Sequence, residues 1–150
     1  MILLSPFAKQ IRNGETHPKN YPWWFEVLAS IDEDVIQVGV EGEQQLVPTF
    51  MRGLPLHELS KFVDQCKTWI SIDSFFQHFC WDKNKPGIVI FGQSDPNIFG
   101  HPENINLLKD RKYLREKQFW LWEQASYNEN AFVKPKVVLK ALKKFNVKLK

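Results

Sequence analysis

The clearest pattern of apolar and polar positions lies in the middle of the chain, at residues 68–96. A β-branched and aromatic run at residues 68–72 predicts a buried strand. The polar pair at 73–74 is suited to begin a helix over residues 75–81. An apolar run at 87–91 predicts a second strand. Strand, helix and strand in this order form one βαβ unit, in which the two strands are parallel.

Similar runs on both sides extend this unit to the whole chain. Strands that alternate with helices indicate an α/β fold built on a parallel sheet. We find no internal repeat or low-complexity linker, so we expect one domain over residues 1–150. Further strands are predicted at residues 1–4, 35–40 and 104–108, and further helices at residues 23–31, 56–66, 111–122 and 135–145.

Composition is that of a globular protein, with 43% hydrophobic and 25% charged residues. The aromatic content of 14% favours a core rich in large side chains, although a platform for rings or sugars is the alternative.

The net charge of +3 comes largely from residues 134–150, which hold seven lysines and no acid. We interpret them as a solvated face, with attraction to phosphate as the alternative. No nucleic-acid motif accompanies them, so we do not expect nucleic acid as a partner.

The two cysteines, Cys66 and Cys80, lie in apolar contexts without the spacing of metal ligands. We expect them to be buried free thiols in a reducing compartment. No stretch has the pattern of a signal peptide or a membrane span. The expectation is therefore a cytoplasmic protein that uses no metal or cofactor.

Two polar clusters follow the strands of the central unit, at the ends where ligands bind in open parallel sheets. Asp73 and Ser74 come after the first strand, where they either hold phosphate or sugar hydroxyls or only cap the helix. Gly92, Gln93 and Ser94 come after the second strand and form a polar loop. The sequence places candidate binding residues in both clusters.

Cations follow the first strand of the chain. Lys9, Arg12 and Lys19 share a loop with Ser5 and Gly14, and such a loop can hold a pyrophosphate. Three solvated loop cations would give the same pattern. No G-x-G-x-x-G or Walker A spacing supports a dinucleotide or P-loop site.

Acidic and histidine side chains complete the candidates. Glu41 and Glu43 follow the strand at 35–40, where a carboxylate can accept hydrogen bonds from ribose hydroxyls, although a merely polar turn would look the same. His78, on an aromatic helix, is more typical of a packed residue than of a catalyst, and His101 has no evident partner. No nucleophile or catalytic dyad is indicated.

Residues 72–78 and 85–96 resemble the family 9 glycosyltransferases, the ADP-heptose:lipopolysaccharide heptosyltransferases. The family pattern is Asp-Thr/Ser-Gly, two residues and His, then Lys-Pro, an apolar strand and Phe-Gly-x-Thr/Ser-x-Pro. Weaker matches at residues 19–24, 39–43 and 54–59 keep the family order. The resemblance covers residues 1–102 and leaves residues 103–150 as a divergent helical closing segment.

The resemblance implies a Rossmann-like parallel sheet with flanking helices, the C-terminal half of a two-domain GT-B enzyme that holds a nucleotide-sugar. It implies that Lys19 contacts the phosphates, that Glu43 contacts the ribose, and that His78 supports the loop at Asp73. The residues that it places at the nucleotide-sugar are Ser5, Lys9, Lys19, Glu43, Asp73, Ser74 and His78, with Gly92, Gln93 and Ser94 in a nearby loop.

Two departures from the family bear on activity. Phe75 stands where the family has glycine, which obstructs or reroutes the approach of a ligand to the backbone. The acceptor domain, which carries the presumed base, has no counterpart in the chain, so the catalytic residues are unknown. The alternatives are transfer with an acceptor domain supplied by a separate protein or a second copy, a non-catalytic nucleotide-sugar binder, and an interaction module that uses residues 113–122.

Overall fold

The computed structural model describes residues 1–150 and contains one sheet of six parallel strands, in the order β3-β2-β1-β4-β5-β6. The strand order reverses between β1 and β4. The connection that leaves β1 therefore runs toward β2, and the one that leaves β4 runs toward β5, in the opposite direction. The crevice at the carboxyl ends of such a pair is the usual ligand site of the fold. The strands are β1 (Ile2–Ser5), β2 (Val35–Gly39), β3 (Thr49–Arg52), β4 (Thr68–Ile72), β5 (Ile88–Ile90) and β6 (Ile105–Leu107).

Helices cover both faces of the sheet, which explains why the central strands are apolar without alternation. All five residues of β4 are buried. The core on one face contains side chains of α1 and α5, and the core on the other face contains side chains of α2 and α3. The helices are α1 (Trp24–Ala29), α2 (Leu56–Gln65), α3 (Phe75–Asp82), α4 (Pro96–Phe99) and α5 (Pro135–Lys143).

The predicted βαβ unit is confirmed as β4, α3 and β5, and the α/β fold is confirmed. One strand was missed, because β3 lies at the edge of the sheet and its ends Thr49 and Arg52 are exposed. An edge strand with polar ends lacks the apolar run that identifies a buried strand.

The helix predicted over residues 111–122 is wrong. Two short 3₁₀ helices, Arg111–Tyr113 and Trp122–Gln124, flank an irregular stretch. The Arg115 guanidinium donates hydrogen bonds to three backbone oxygens of this stretch, those of Gln118, Trp120 and Leu121. Because a side chain takes over backbone acceptors, the segment does not need helical hydrogen bonds.

Cys66 and Cys80 are buried and unpaired in the core beside α2 and α3, and burial raises the pKa of both thiols. None of the helices combines the length and the apolar character needed to cross a membrane.

Candidate functional site

A cleft of 1110 Å³ lies at the carboxyl edge of the sheet. Its walls come from the segments that follow β1, β2, β3 and β4, and it therefore includes the crevice between β1 and β4. Six of the ten residues predicted to contact or lie near a nucleotide-sugar line this cleft. They are Ser5, Lys9, Lys19, Glu43, Asp73 and Ser74.

Lys19 and Asp73 form an ion pair in the cleft. Lys19 Nζ lies 3.3 Å from Asp73 Oδ2, although the geometry of this contact is not that of a hydrogen bond. Asp73 Oδ1 accepts a hydrogen bond of 2.7 Å from Gln77 Nε2 on α3. The ring of Trp122 lies 5.2 Å from Lys19 Nζ. These contacts hold the ammonium group beside the start of α3 and leave Asp73 Oδ2 able to accept a further hydrogen bond.

Ser74 occupies the N-cap position of α3 with an extended backbone, but its side chain makes no capping hydrogen bond. Its Oγ is buried and has no hydrogen-bond partner. The first N–H groups of a helix have no partner within the helix. The start of α3 therefore offers the cleft a free hydroxyl and free backbone donors, instead of the self-capped terminus that is the alternative interpretation.

Glu43 is the second polar centre of the cleft. Its Oε2 is buried without a hydrogen-bond partner, and burial raises the pKa of this carboxyl. The carboxylate lies against Gly39, and a Cβ at that glycine would overlap it. Glu41, by contrast, is exposed and lies 3.9 Å from the Arg52 guanidinium. Of the two acids predicted after β2, only Glu43 is a partly buried carboxylate that has no ion pair and has one oxygen, Oε2, without a hydrogen-bond partner.

His17 is a cleft residue that the sequence did not single out. Its Nδ1 accepts a hydrogen bond of 3.1 Å from the Lys19 backbone N–H, and burial lowers its pKa to about 4. The ring is therefore neutral at pH 7, with its proton on Nε2. A histidine two residues before a loop lysine gives no sequence signal for this role.

The charge of the cleft is mixed. Two lysines line it, together with four carboxylates, so the cleft as a whole does not attract anions. Recognition of a phosphate would have to be local, at the one place where a lysine and the start of α3 meet. The charged residues of the lining are Lys9, Lys19, Glu15, Glu41, Glu43 and Asp73.

The loop Gly92–Asp95 follows β5 but does not line the cleft. Gln93 Nε2 donates to Ser126 O, and Gln93 O accepts from Arg115 N and Gln118 Nε2, at 2.8, 3.0 and 2.9 Å. Residues 115–127, which we call the covering segment, thus bind this loop, in which Ser94 is buried. The predicted residues Gly92, Gln93 and Ser94 are therefore not among the residues that line the cleft.

The covering segment also reaches the wall of the cleft. Trp122 stacks on the Arg115 guanidinium at 3.5 Å and contacts His17, with 5.4 Å between the ring centroids. Tyr127 lines the cleft and donates a hydrogen bond of 2.9 Å from its hydroxyl to Asn20 O. The covering segment therefore contributes Tyr127 to the wall of the cleft and holds Trp122 against His17, another residue of the lining.

His78 lies outside the cleft lining as well. Its Nδ1 lies 2.7 Å from His101 Nε2, and Trp81 stacks on the His101 ring at 4.6 Å. Burial, followed by the neighbouring His101, lowers the pKa of His78. The structure thus pairs two histidines that the sequence left separate, and it places His78 in a surface cluster.

Two solved structures share this fold. A family 9 glycosyl transferase from Veillonella parvula DSM 2008 aligns with a TM-score of 0.69 at 16% identity, covering 97% of this chain and 45% of that one. The ADP-heptose LPS heptosyltransferase II of E. coli aligns with a TM-score of 0.68 at 18% identity, covering 96% of this chain and 45% of that one. The chain therefore spans less than half the length of these structures.

No protein-family model and no curated protein sequence matches the chain. The comparisons therefore show the fold, which is that of the matched part of these glycosyltransferase structures. The predicted resemblance is confirmed at this level. The structural similarity also extends past residue 102, where the sequence resemblance ended, and takes in most of residues 103–150.

Proposed function

We propose that the chain binds a nucleotide-sugar in the cleft, as the sugar-donor half of a glycosyltransferase. The observation that carries this proposal is the presence of two unsatisfied polar centres in one cleft, Glu43 and the Lys19–Asp73–Ser74 group. An ADP-sugar is the first ligand to test, because one structural neighbour is named for ADP-heptose.

Glu43 would hold the ribose. A carboxylate oxygen without a partner in a buried position is costly, and two vicinal hydroxyls of a ribose supply the hydrogen bonds that it lacks. Gly39 leaves the room that the carboxylate needs, so the position is set before the ligand arrives.

The start of α3 would hold the diphosphate and the sugar. Lys19 can turn from Asp73 toward a phosphate oxygen, while the first N–H groups of α3 and Ser74 Oγ donate to the phosphate or sugar oxygens. Ser5 and Lys9 line the same cleft and complete the phosphate contacts.

Transfer of the sugar would use the same groups as the departing diphosphate gains charge. Lys19 and the α3 amides stabilise that charge by fixed electrostatics, without a metal ion. The base that activates the acceptor would come from a separate acceptor-domain protein or from a second copy of this chain. The unpaired cysteines fit a cytoplasmic location.

A thermal-shift screen tests the proposal with ADP-, GDP-, UDP- and CDP-sugars and their free nucleotides. A ligand at 100 times its dissociation constant should stabilise the fold by about 2.7 kcal/mol. Lys19→Ala should remove the shift, whereas Lys136→Ala, at an exposed lysine on α5, should keep it. The absence of a shift with every ligand, or a full shift in Lys19→Ala, would contradict the proposal.

A second candidate is a protein that binds a nucleotide without transferring a sugar, and Phe75 favours it. This side chain lines the cleft beside Ser74, is 62% exposed, and stands where the resembling family has glycine. A bulky ring here takes up space next to the proposed sugar position. If this candidate is correct, the free nucleotide should bind more tightly than its sugar conjugate, and Phe75→Gly should remove the difference.

A further inference from the structure

Three consecutive large apolar side chains are exposed in the covering segment. Phe119, Trp120 and Leu121 are 81%, 51% and 60% exposed, and we call them the apolar tip. Phe119 makes one edge contact, with Phe99 at 5.5 Å between the ring centroids. Single exposed apolar residues are ordinary, but three in sequence at one loop form a patch that marks an interaction site.

Three of the six backbone N–H and C=O groups of the apolar tip, Trp120 N, Trp120 O and Leu121 O, are hydrogen-bonded within their own loop. Arg115 donates to the Gln118, Trp120 and Leu121 oxygens at 2.8, 2.7 and 3.4 Å, and Trp120 N donates to Lys117 O at 3.2 Å. The indole N–H of Trp120 donates to the side chain of Gln124. These hydrogen bonds lie within the loop, so they would be kept when the side chains of the tip insert at the surface of an apolar phase.

Cations flank the apolar tip. Residues 109–117 contain five basic residues and two acidic ones. Lys112 and Lys117 are exposed and make no ion pair, and Lys117 Nζ lies 5.1 Å from the centre of the Trp120 ring. An apolar protrusion with lysines at its base matches a surface that is apolar inside and negatively charged at its boundary.

We propose that the apolar tip inserts into the surface of an anionic lipid bilayer, with Lys112 and Lys117 at the headgroups. Aromatic and aliphatic side chains beside lysines are the usual elements of such interfacial anchors. A stable protein–protein interface buries about 800 Å² per partner around a broad apolar centre, whereas the tip is three residues of one loop. This proposal does not depend on nucleotide-sugar binding.

The apolar tip lies near the cleft, so docking of the tip also determines where the cleft lies relative to the lipid. Gln118 bonds to Gln93 O and to Asp95 N, which places the tip beside the loop that follows β5. That loop lies at the carboxyl edge of the sheet, the edge at which the cleft opens. A chain docked by its tip would therefore hold the cleft close to the lipid surface.

Vesicle co-sedimentation of the full chain tests the proposal. The wild type should sediment with vesicles of phosphatidylcholine and phosphatidylglycerol at 4:1, more weakly with phosphatidylcholine alone, and more weakly at high salt. The double variant Phe119→Ser/Leu121→Ser should bind at least about tenfold more weakly, since it removes most of the inserted apolar surface. Phe25→Ser, at an exposed apolar side chain of α1, is the matched control and should bind as the wild type does.

A fluorescent label gives a second readout, because both native cysteines are buried. A polarity-sensitive dye on Leu121→Cys should shift to the blue with anionic vesicles, and the same dye on Phe25→Cys should not. Wild-type chain that stays in the supernatant, equal sedimentation of the double variant, or equal binding to neutral vesicles would overturn the proposal. A dimer in light scattering that the double variant abolishes would overturn it in favour of a second copy.

Discussion

Two polar loops at the carboxyl edge of the sheet differ in what satisfies their polar groups. The turn after β2 leaves Glu43 Oε2 buried and without a hydrogen-bond partner, on a side chain that lines the cleft. The loop after β5 is bonded to the covering segment through Gln93, and its Asp95 accepts two hydrogen bonds from Arg111, at 3.0 and 2.8 Å. One loop has room for a ligand, and the other is occupied by the chain itself.

This contrast shows when a polar loop at a strand end forms a binding site. Both loops carry the residue types of a binding site, and both stand where parallel sheets place their ligands. Only the partners supplied from elsewhere in the chain distinguish them, because a buried polar group must be satisfied by protein, water or ligand. What separates these two loops is therefore whether the chain itself supplies partners for their polar groups.

The largest expected effect is on stability, at the loop after β5. A Cβ at Gly92 would lie 2.7 Å from Phe132 Cε1, and this ring is fully buried and cannot move aside. Gly92→Ala should therefore lower the free energy of unfolding by about 1–3 kcal/mol, as overpacking does. Denaturant unfolding measures the change, and binding of the nucleotide-sugar by the folded variant should be unaffected. An unchanged unfolding midpoint would show that the loop is not tightly packed.

The same substitution in the turn after β2 should act on binding instead. A Cβ at Gly39 would displace the Glu43 carboxylate, which is the free end of a flexible side chain. Gly39→Ala should change stability by no more than about 0.5 kcal/mol but weaken nucleotide-sugar binding by about tenfold, since a charge-assisted hydrogen bond is lost. Calorimetric titration beside a thermal melt measures both quantities. If Gly39→Ala loses stability but keeps full binding, the turn after β2 is a structural element and not part of the binding site.

The next effect is on the free energy of unfolding, which should fall by about 1 kcal/mol when Asp95 is replaced. Its side chain caps α4 through Asn97 N, and hydrogen bonds from Arg111 hold its pKa below the ordinary value of 3.8. Asp95→Ala should cost about 1 kcal/mol of stability at pH 7, the usual value of a lost cap. Because the pKa is lower in the folded state, the ionised carboxylate stabilises the fold above pH 3.8, and this stabilisation is lost as pH falls through the folded-state value.

Unfolding measured from pH 7 to pH 2.5 checks this prediction. The difference in stability between wild type and Asp95→Ala should narrow at the acid end. A difference that stays constant would show that the Arg111 pair contributes nothing.

The smallest effect is the pH dependence of binding at Glu43. Burial raises the pKa of the Glu43 carboxyl, so the folded chain binds this proton more tightly than the unfolded chain does. The contribution of Glu43 to the free energy of unfolding therefore falls as pH rises. Ribose hydroxyls donate to the ionised form, so affinity for the nucleotide-sugar should increase several-fold from pH 5 to pH 8. Glu43→Gln should bind more weakly and remove this dependence. A pH profile identical in wild type and variant would exclude a ribose contact by Glu43.

Sequence patterns predicted the parts of the molecule that are determined by residues close together in the sequence. The β4–α3–β5 unit follows from an apolar run, a polar break and a second apolar run, and the cleft residues Ser74 and Glu43 lie two and four residues after the ends of their strands. The contacts of the covering segment could not be predicted in this way. Arg115 and Gln118 meet the loop at Gln93 across more than 20 residues, and no local pattern encodes such a pairing. The His78–His101 contact was hidden for the same reason.

A double-mutant cycle measured by calorimetry tests whether one nucleotide-sugar contacts both Lys19 and Glu43. The nucleotide-sugar that stabilises the fold most is titrated into the wild type, Lys19→Ala, Glu43→Gln and the double variant. If one ligand spans the cleft from the phosphate end to the ribose end, each single variant should weaken binding, and the two losses should add because the residues contact different parts of the ligand. Full affinity in either single variant would contradict the account.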